Sequence, residues 1–249
     1  MSKLASKVAI ITGGNSGIGF TTAKTFAEEG AEVIITGRNQ ESLDKAVAEL
    51  GGKVTAIKSD AARIADIERL ASELESQGKR VDVLFLNAGI AQLAPIEQTD
   101  EALYDQTFDI NVKGLYFTIK HLLPLMGEGT SIVINASINA YIGMPNSSVY
   151  AASKAAVISM ARTLSGELVD RGIRVNVVSP GPINTPIFRK MGMSDEQMEA
   201  TANSIQQQIP MGRFGRPEEI AKAALFLASE DSSFVIGAEL IADGGMSTL

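Results

Sequence analysis

The stretch VAIITGGNSGIGFTTA, residues 8–23, decides the fold. It begins with five residues that are apolar or β-branched, a pattern that predicts a strand buried on both faces. Four glycines follow in the segment TGGNSGIG, residues 12–19, and an amphipathic segment comes directly after them. Glycine permits a tight turn and a close approach of the backbone to a phosphate, whose charge then lies at the N-terminus of the helix. The order of strand, glycine turn and helix predicts a dinucleotide-binding unit, although a turn needed only for strand–helix packing gives the same pattern.

The rest of the chain repeats this alternation of short β-branched runs and longer amphipathic runs. Strands are predicted at residues 8–12, 32–36, 53–58, 81–87, 131–137, 173–179 and 234–242, and helices at residues 17–29, 40–50, 63–77, 99–126, 148–170 and 217–229. Such alternation is typical of parallel sheets with helices on both faces. We therefore expect an α/β fold in which a single domain, residues 1–249, holds a doubly wound, Rossmann-like parallel sheet of about seven strands flanked by helices.

One segment, residues 181–216, interrupts the alternation. It contains Pro182, Pro186 and Pro210, and three closely spaced methionines. A long irregular segment in a compact fold is usually a functional loop. We expect a substrate lid over about residues 181–216.

The composition excludes several classes of protein. The net charge of −7 disfavours binding to nucleic acid or to an anionic membrane, because both need a basic surface. The absence of cysteine excludes disulfides and thiolate metal sites, and no His or carboxylate cluster has the spacing of metal ligands. No apolar run reaches the roughly 18 residues of a membrane span, and the first run is too short for a signal peptide. We expect a cytoplasmic protein without a metal ion.

The end of the second predicted strand, ITGRN at residues 35–39, predicts which dinucleotide is bound. In dinucleotide-binding folds an acidic residue here binds the adenosine ribose of NAD, whereas an arginine binds the 2′-phosphate of NADP. Gly37 carries no carboxylate, and the planar guanidinium of Arg38 follows it. Thr36 and Asn39 add neutral hydrogen-bonding groups. NADP(H) is therefore the preferred cofactor and NAD(H) the alternative, unless Arg38 is only a solvated turn residue.

Further motifs stand in a fixed order along the chain. They are TGGNSGIG at 12–19, NAG at 87–89, Asn111, Ser137, YAASK at 150–154 and PG at 180–181. In this order and approximate spacing they resemble the short-chain dehydrogenase/reductase family over the whole length of the chain. The resemblance implies a Rossmann-like oxidoreductase that uses a nicotinamide dinucleotide. Members that resemble this chain are commonly homotetramers.

The resemblance also implies roles for individual residues. Asn111, Ser137, Tyr150 and Lys154 would form a catalytic tetrad. Asp60 would lie against the adenine, the NAG segment would close the cofactor groove, and the threonine of PGPINT would reach the nicotinamide carboxamide. The predicted cofactor-binding residues are Gly13, Asn15, Ser16, Gly17, Ile18, Gly19, Arg38, Asn39, Asp60, Asn87, Ala88, Gly89, Tyr150, Lys154, Pro180, Gly181, Ile183 and Thr185.

Tyr150 and Lys154 lie four positions apart, which places both side chains on one face of a helix. Taken alone, the pair is an aromatic side chain beside an amine that reaches for solvent. With Ser137 it suits proton transfer, because tyrosine titrates at about pH 10 in water and a nearby positive charge stabilises its phenolate. When a hydride reaches a carbonyl carbon, Tyr150 would protonate the alkoxide while Ser137 donates a hydrogen bond. By resemblance, Lys154 also holds the nicotinamide ribose, and Asn111 supports a water that links Lys154 to solvent.

The residues expected around the nicotinamide are mostly apolar. The expected substrate is therefore a small or medium uncharged carbonyl compound or secondary alcohol. Arg189 and Lys190 in the predicted lid keep a β-ketoacyl thioester as an alternative substrate. Two rival functions are a non-catalytic dinucleotide-binding sensor, which has little need of a tetrad, and a lyase or epimerase, whose relatives usually carry an added substrate domain. The predicted substrate-binding residues are Ser137, Asn139, Tyr141, Met144 and Tyr150.

Overall fold

Seven strands form one parallel sheet in the part of the chain that the computed structural model describes, residues 2–185 and 195–249. They are β1 (Val8–Thr12), β2 (Glu32–Gly37), β3 (Val54–Lys58), β4 (Val83–Leu86), β5 (Ser131–Asn135), β6 (Arg174–Pro180) and β7 (Glu239–Ala242). Their order across the sheet is β3-β2-β1-β4-β5-β6-β7. The chain winds from β1 toward one edge and from β4 toward the other, which confirms the predicted doubly wound, Rossmann-like α/β fold.

Helices cover both faces of the sheet. They are α1 (Gly17–Glu28), α2 (Gln40–Leu50), α3 (Ile64–Ser76), α4 (Glu101–Phe108), α5 (Leu115–Leu122), α6 (Ser148–Leu168), α7 (Asp195–Gln208) and α8 (Pro217–Ala228). Ile10 packs in the core with residues of α3, α5 and α6, whereas its neighbour Ile11 packs with α1, α2 and α8. Burial on both faces explains the continuous apolar pattern of the strands. None of the described helices is long and apolar enough to cross a membrane.

The carboxyl ends of the two inner strands β1 and β4 lie side by side. Thr12, at the end of β1, is paired with Thr36 of β2 on one side and with Leu86 of β4 on the other. The connections after β1 and β4 leave in opposite directions, so a crevice opens outside these strand ends. The glycine turn and the segment 87–89 both begin at this crevice.

The helix predicted over residues 99–126 is present as one unbroken helical segment over residues 101–125, but its type changes along the segment. The structure divides this region into α4, a π-helical turn at Asp109–Gly114, α5, and a short 3-10 turn at Leu123–Leu125. The π turn lies where the helix touches the segment after β3, since a Cβ on Gly114 would lie 1.9 Å from the carbonyl oxygen of Ala61. Single π turns inside helices are frequent at functional sites, and this one carries Asn111.

The last strand is shorter than predicted. Residues 234–238 belong to the predicted strand but lie outside β7. The backbone N–H of Val235 donates to the carbonyl of Ser232 in a turn, and Gly237 has a φ of +65°. Neither conformation is extended, so the strand that pairs with β6 starts only at Glu239.

The predicted lid, residues 181–216, contains α7 in addition to irregular segments. Its two ends are tied together, because the N–H of Asn184 donates to the carbonyl of Gly215 and the N–H of Gly215 donates to the carbonyl of Pro182, both at 2.9 Å. Residues 186–194, which include the two predicted anion-binding side chains, lie outside the described residues. The lid therefore stays a prediction.

The substitution Gly114→Ala tests the close contact beneath the π turn. The added methyl group would overlap the Ala61 carbonyl, so we expect the free energy of unfolding to fall by about 1 to 3 kcal/mol, the usual cost of overpacking. Gly166, in α6, has no atom within 4 Å of its ideal Cβ outside its own helix and neighbours, which makes Gly166→Ala the matched control. That control should be neutral or stabilising by up to about 1 kcal/mol. Urea unfolding measures both, and equal effects would contradict a tight contact at Gly114.

Candidate active site

The glycine turn after β1 packs against the residues that follow β4. A Cβ on Gly19 would lie 2.3 Å from the carbonyl oxygen of Gly13 and 2.5 Å from Nδ2 of Asn87. Gly13 has a φ of +66°, which a residue with a side chain rarely adopts. The turn therefore presents backbone, not side chains, at the start of α1. This cradle fits the pyrophosphate of a dinucleotide at a helix N-terminus.

The segment 87–89 is hydrogen-bonded to this turn. The backbone N–H groups of Asn87 and Ala88 both donate to Oγ1 of Thr12 at 3.0 Å. Asn87 Nδ2 donates to the carbonyls of Thr12 and Gly13, each at 3.1 Å. The structure thus brings together two of the motifs that the sequence separates by about 70 residues.

Asn135, at the carboxyl end of β5, is a site residue that the sequence interpretation missed. Its Nδ2 donates to Oδ1 of Asn87 at 2.9 Å, and its backbone carbonyl accepts a hydrogen bond from Nζ of Lys154 at 2.9 Å. A signal was present in the sequence, because an amide side chain ends an otherwise apolar central strand. Such strand ends face the ligand crevice in this class of fold.

Ser137 and Tyr150 meet beyond the end of β5. Ser137 is 8% exposed, and its hydroxyl lies close enough to the phenol of Tyr150, in the first turn of α6, to lower the pKa of that phenol. The N–H of Asn139 donates to Ser137 Oγ at 3.2 Å. The serine hydroxyl thus lies beside the phenol, and the catalytic role of the pair stays a prediction.

Lys154 lies one helical turn after Tyr150 and is 6% exposed. Its Nζ lies 5.8 Å from the centroid of the Tyr150 ring. Burial lowers the pKa of Lys154 to about 8, which leaves the amine mostly protonated at neutral pH. The stabilisation of a Tyr150 phenolate by Lys154 stays a prediction. Burial raises the pKa of the Tyr150 hydroxyl in the protein alone, and the nearby Ser137 hydroxyl opposes this only in part.

Asn111 lies in the π turn, and three hydrogen bonds join its side chain to residues outside that turn. Its Oδ1 accepts from the N–H of Ile90 at 2.9 Å, and its Nδ2 donates to the carbonyl of Ile90 and to Oγ of Ser153, both at 3.0 Å. Ser153 Oγ in turn donates to the carbonyl of Tyr150 at 2.7 Å. A Cβ on Gly89 would lie 3.2 Å from Asn111 Oδ1 and 3.6 Å from Lys154 Nζ, so these two residues of the predicted tetrad converge at Gly89.

The residues predicted to bind the adenosine end of the dinucleotide lie around the start of α2. Asn39 caps this helix, because its Oδ1 accepts from the N–H of Ser42 at 2.9 Å. Asn15 Nδ2 donates to Ser42 Oγ at 3.1 Å, which connects the glycine turn to α2. A Cβ on Gly37 would lie 3.1 Å from Asn15 Oδ1. The side chain of Arg38 is exposed beside this group.

The remaining predicted cofactor residues lie along the same strand ends. Asp60 follows β3, and its Oδ1 accepts from the N–H of Ala62 at 3.0 Å. Gly181 follows β6, and its N–H donates to the carbonyl of Ala242 in β7 at 3.0 Å. Thr185 faces the glycine turn, because its Cγ2 would lie 3.6 Å from a Cβ on Gly17. Asp60 and Gly181 thus follow two strands, β3 and β6, that lie on opposite sides of the glycine turn in the sheet.

The predicted substrate-binding residues divide into two groups. Asn139 and Met144 lie together, with Asn139 Nδ2 at 3.5 Å from Met144 Sδ. Tyr141 is 52% exposed, and its hydroxyl donates to the carboxylate of Glu239 in β7, whose other oxygen accepts from Ser179 Oγ at 2.5 Å. The Tyr141 hydroxyl is therefore engaged by the last strand, and contact of Tyr141 with a substrate stays a prediction.

An open groove of about 490 Å³ lies between the segment after β4 and the segment that joins β5 to α6. Its walls are mostly apolar and include Ile96, Ile142, Met144 and Ala151, the residue after Tyr150. Glu97 is the charged side chain among its lining residues. The groove lies beside the first turn of α6, and neither Ser137 nor Tyr150 is among its lining residues.

The substitution Lys154→Met tests the cost of burying the amine. Because the pKa is lower in the folded protein, about 8, than in the unfolded chain, about 10.5, the unfolded chain alone holds the proton between these values. Stability lost to Lys154 is therefore greatest below about pH 8 and is regained as the pH rises toward 10.5. We expect Lys154→Met to raise the free energy of unfolding by roughly 1 to 3 kcal/mol at pH 7, and by less at pH 10.

Urea unfolding at both pH values measures this difference. Lys24→Met, at an exposed position of α1, is the matched control and should show little change at either pH. A destabilised Lys154→Met protein at pH 7 would contradict the predicted cost.

The sequence and the fold both match one family. The family model described as Enoyl-(Acyl carrier protein) reductase matches residues 13–247. The oxidoreductase asL5 of Sarocladium schorii is 42% identical, with 100% of this chain and 99% of that protein covered. The 3-oxoacyl-(acyl-carrier-protein) reductase FabG of Thermotoga maritima is 40% identical, with 98% and 99% covered.

The solved structures give the same result. A short-chain dehydrogenase/reductase from Brucella melitensis, described as a glucose/ribitol dehydrogenase, superposes with a TM-score of 0.92 at 34% identity over 100% of both chains. A chain described as a putative betaketoacyl-ACP reductase superposes with a TM-score of 0.85 at 37% identity, over 99% of this chain and 100% of that one. The chain therefore belongs to the short-chain dehydrogenase/reductase family of oxidoreductases, as its motifs predicted, and that family uses nicotinamide dinucleotides.

Proposed function

We propose that the protein is an NADP(H)-dependent oxidoreductase that interconverts a small or medium carbonyl compound and its alcohol. The observation that carries this proposal is that the Ser137 hydroxyl and the buried amine of Lys154 both lie beside Tyr150, with Lys154 Nζ 5.8 Å from the centroid of the Tyr150 ring. A non-catalytic sensor has no use for a phenol and a serine hydroxyl held together beside a buried cation. The family matches support the oxidoreductase class.

The nicotinamide, when bound, supplies or accepts the hydride. The glycine turn and the segments 37–39, 60, 87–89 and 180–185 would hold the cofactor, which the close packing of Gly13 and Gly19 supports. Tyr150 would give its proton to the oxygen of the reduced carbonyl, and the same phenolate would take that proton in the oxidation direction. Ser137 would donate a hydrogen bond to this oxygen. Protonated Lys154 would stabilise the phenolate that remains.

The preference for NADP(H) rests on the start of α2. No carboxylate stands at Gly37 to repel a phosphate, and the Asn15 amide lies where a side chain at that position would point. The exposed guanidinium of Arg38 can bind a 2′-phosphate through two parallel hydrogen bonds. NAD(H) is the alternative cofactor.

The proposed substrate is uncharged. The groove beside Ala151 has apolar walls, and its charged residue, Glu97, disfavours an anionic carrier. The alternative is a β-ketoacyl thioester, which the name of the Thermotoga maritima relative favours. A cytoplasmic location and a lid over residues 181–216 are further parts of this proposal that rest on the sequence.

We also propose a homotetramer. Phe234, Ile236 and Leu240 near the edge strand β7 are exposed, as are Tyr104 and Tyr116 on the α4–α5 side. Clusters of exposed apolar side chains are typical of interfaces between subunits. Sedimentation at micromolar concentration should give about four times the monomer mass of 26.3 kDa, and a monomer would contradict this proposal.

The first functional experiment is the initial rate of NADPH consumption with a panel of ketones, aldehydes, diketones and β-ketoacyl thioesters. We expect turnover of neutral carbonyl compounds, and a loss of at least about 100-fold in Tyr150→Phe, because the proton donor is removed. NADPH binding by that variant is the control for folding. Absence of turnover on every substrate despite NADPH binding would favour the sensor, and a strong preference for thioesters would overturn the uncharged substrate.

Arg38→Ser tests the cofactor preference. Loss of a charge-assisted hydrogen bond to the 2′-phosphate should raise the KM for NADPH by about 10- to 100-fold and leave the KM for NADH nearly unchanged. Lys45→Ser removes an exposed cation further along α2 and is the matched control. Equal KM values for NADPH in Arg38→Ser and the native protein would show that Arg38 is a solvated turn residue.

A further inference from the structure

We infer that Asn135 is a positioning residue that links the glycine turn to Lys154. Its side chain fixes Asn87, which holds the turn, while its backbone carbonyl holds the lysine amine. Binding of the dinucleotide and orientation of Lys154 would then depend on one residue. This inference rests on the proposed function, in which the same lysine and turn both contact the cofactor.

The chain of amides has a single consistent direction. The carbonyls of Thr12 and Gly13 only accept hydrogen bonds, so the nitrogen of the Asn87 amide must face them. Asn87 Oδ1 then faces Asn135 and requires the nitrogen of that amide, at 2.9 Å. Each amide in the chain is therefore oriented by the preceding one, starting from the glycine turn.

The orientation of Asn135 has a cost that packing does not explain. Its Oδ1 is turned away from Asn87 and is buried without a hydrogen-bond partner among the described residues. An unsatisfied buried polar atom is unfavourable, and an aliphatic side chain of similar size would avoid the penalty. The polar residue at this position is better explained by the bond that it donates to Asn87 than by stability.

The backbone carbonyl of the same residue is the only hydrogen-bond acceptor that the structure gives to Lys154 Nζ within the described residues. The carbonyl of Asn135 lies 2.9 Å from Nζ. The other groups against this amine are Gly89 and the Tyr150 ring, of which Tyr150 alone titrates. A carbonyl dipole favours the charged amine, so a shift of this peptide unit would allow burial to lower the pKa of Lys154 further.

Asn135→Leu is the test, and binding of NADPH followed by its fluorescence is the measurement. We expect the Kd for NADPH to rise by about five- to tenfold at neutral pH, the effect of one lost hydrogen bond. In the native protein, binding should weaken at alkaline pH as Lys154 loses its proton. In Asn135→Leu this weakening should begin at a lower pH, a change that loss of stability alone does not produce.

Asn176→Leu is the matched control. Asn176, in the neighbouring strand β6, is fully buried and also makes two hydrogen bonds, at 2.9 and 3.0 Å, but these go to Val235 and Ala238. The Asn176→Leu substitution should lower the free energy of unfolding without changing the Kd for NADPH or the pH dependence of that Kd. If Asn135→Leu does not fold, Asn135→Ser replaces it, because a serine hydroxyl is too short to reach Asn87 and should give the same two changes.

The outcomes separate the inference from the proposed function. Native protein that binds NADPH tightly, with an unchanged Kd and pH dependence in both Asn135 variants, would overturn the inference alone. Native protein that does not bind NADPH would contradict the proposed cofactor. An effect of Asn135→Leu that is as large in an Asn87→Ala background would also overturn the inference, because linked residues do not act independently.

Discussion

A buried amine that has no carboxylate partner among the described residues is the constraint on which the site depends. Lys154 is almost fully enclosed, and its Nζ is held by one backbone carbonyl at 2.9 Å. Such a group lowers the stability of the folded protein, because burial opposes its charge. A phenolate formed at Tyr150 would supply the missing negative charge during the reaction. The charge of Lys154 is therefore less well stabilised in the resting protein than in the proposed proton-transfer step, in which Tyr150 is negatively charged.

The parallel sheet makes this arrangement possible by collecting strand ends at one edge. Thr12, Asn87 and Asn135 end or follow three neighbouring strands, β1, β4 and β5, and hydrogen bonds connect them in that order. The glycine turn lies at one end of this series and Lys154 at the other. The fold thus joins the proposed binding site of the cofactor to the proposed proton-transfer site without a long loop between them.

Much of the fold and of the site could be predicted from the sequence, because the motifs are local. The glycine turn follows a buried strand, and Tyr150 and Lys154 lie at helical spacing, so both could be placed without tertiary information. The division of the predicted helix at residues 109–114 could not, because its contact is with the distant Ala61 carbonyl. The role of Asn135 and the bond of Tyr141 to Glu239 are also long-range contacts. The raised pKa of Tyr150 follows from the burial of its hydroxyl, and the helical spacing of the sequence does not show how deeply that hydroxyl is buried.

Transfer of deuterium from NADPH labelled at C4 of the nicotinamide into a ketone substrate tests the central claim most directly. Mass spectrometry of the alcohol product should show one deuterium on the carbinol carbon when the label is on the transferred face, and none when it is on the other face. Deuterium in the product would establish direct hydride transfer from the nicotinamide to the carbonyl carbon. An alcohol that forms without deuterium from either labelled face would contradict the account.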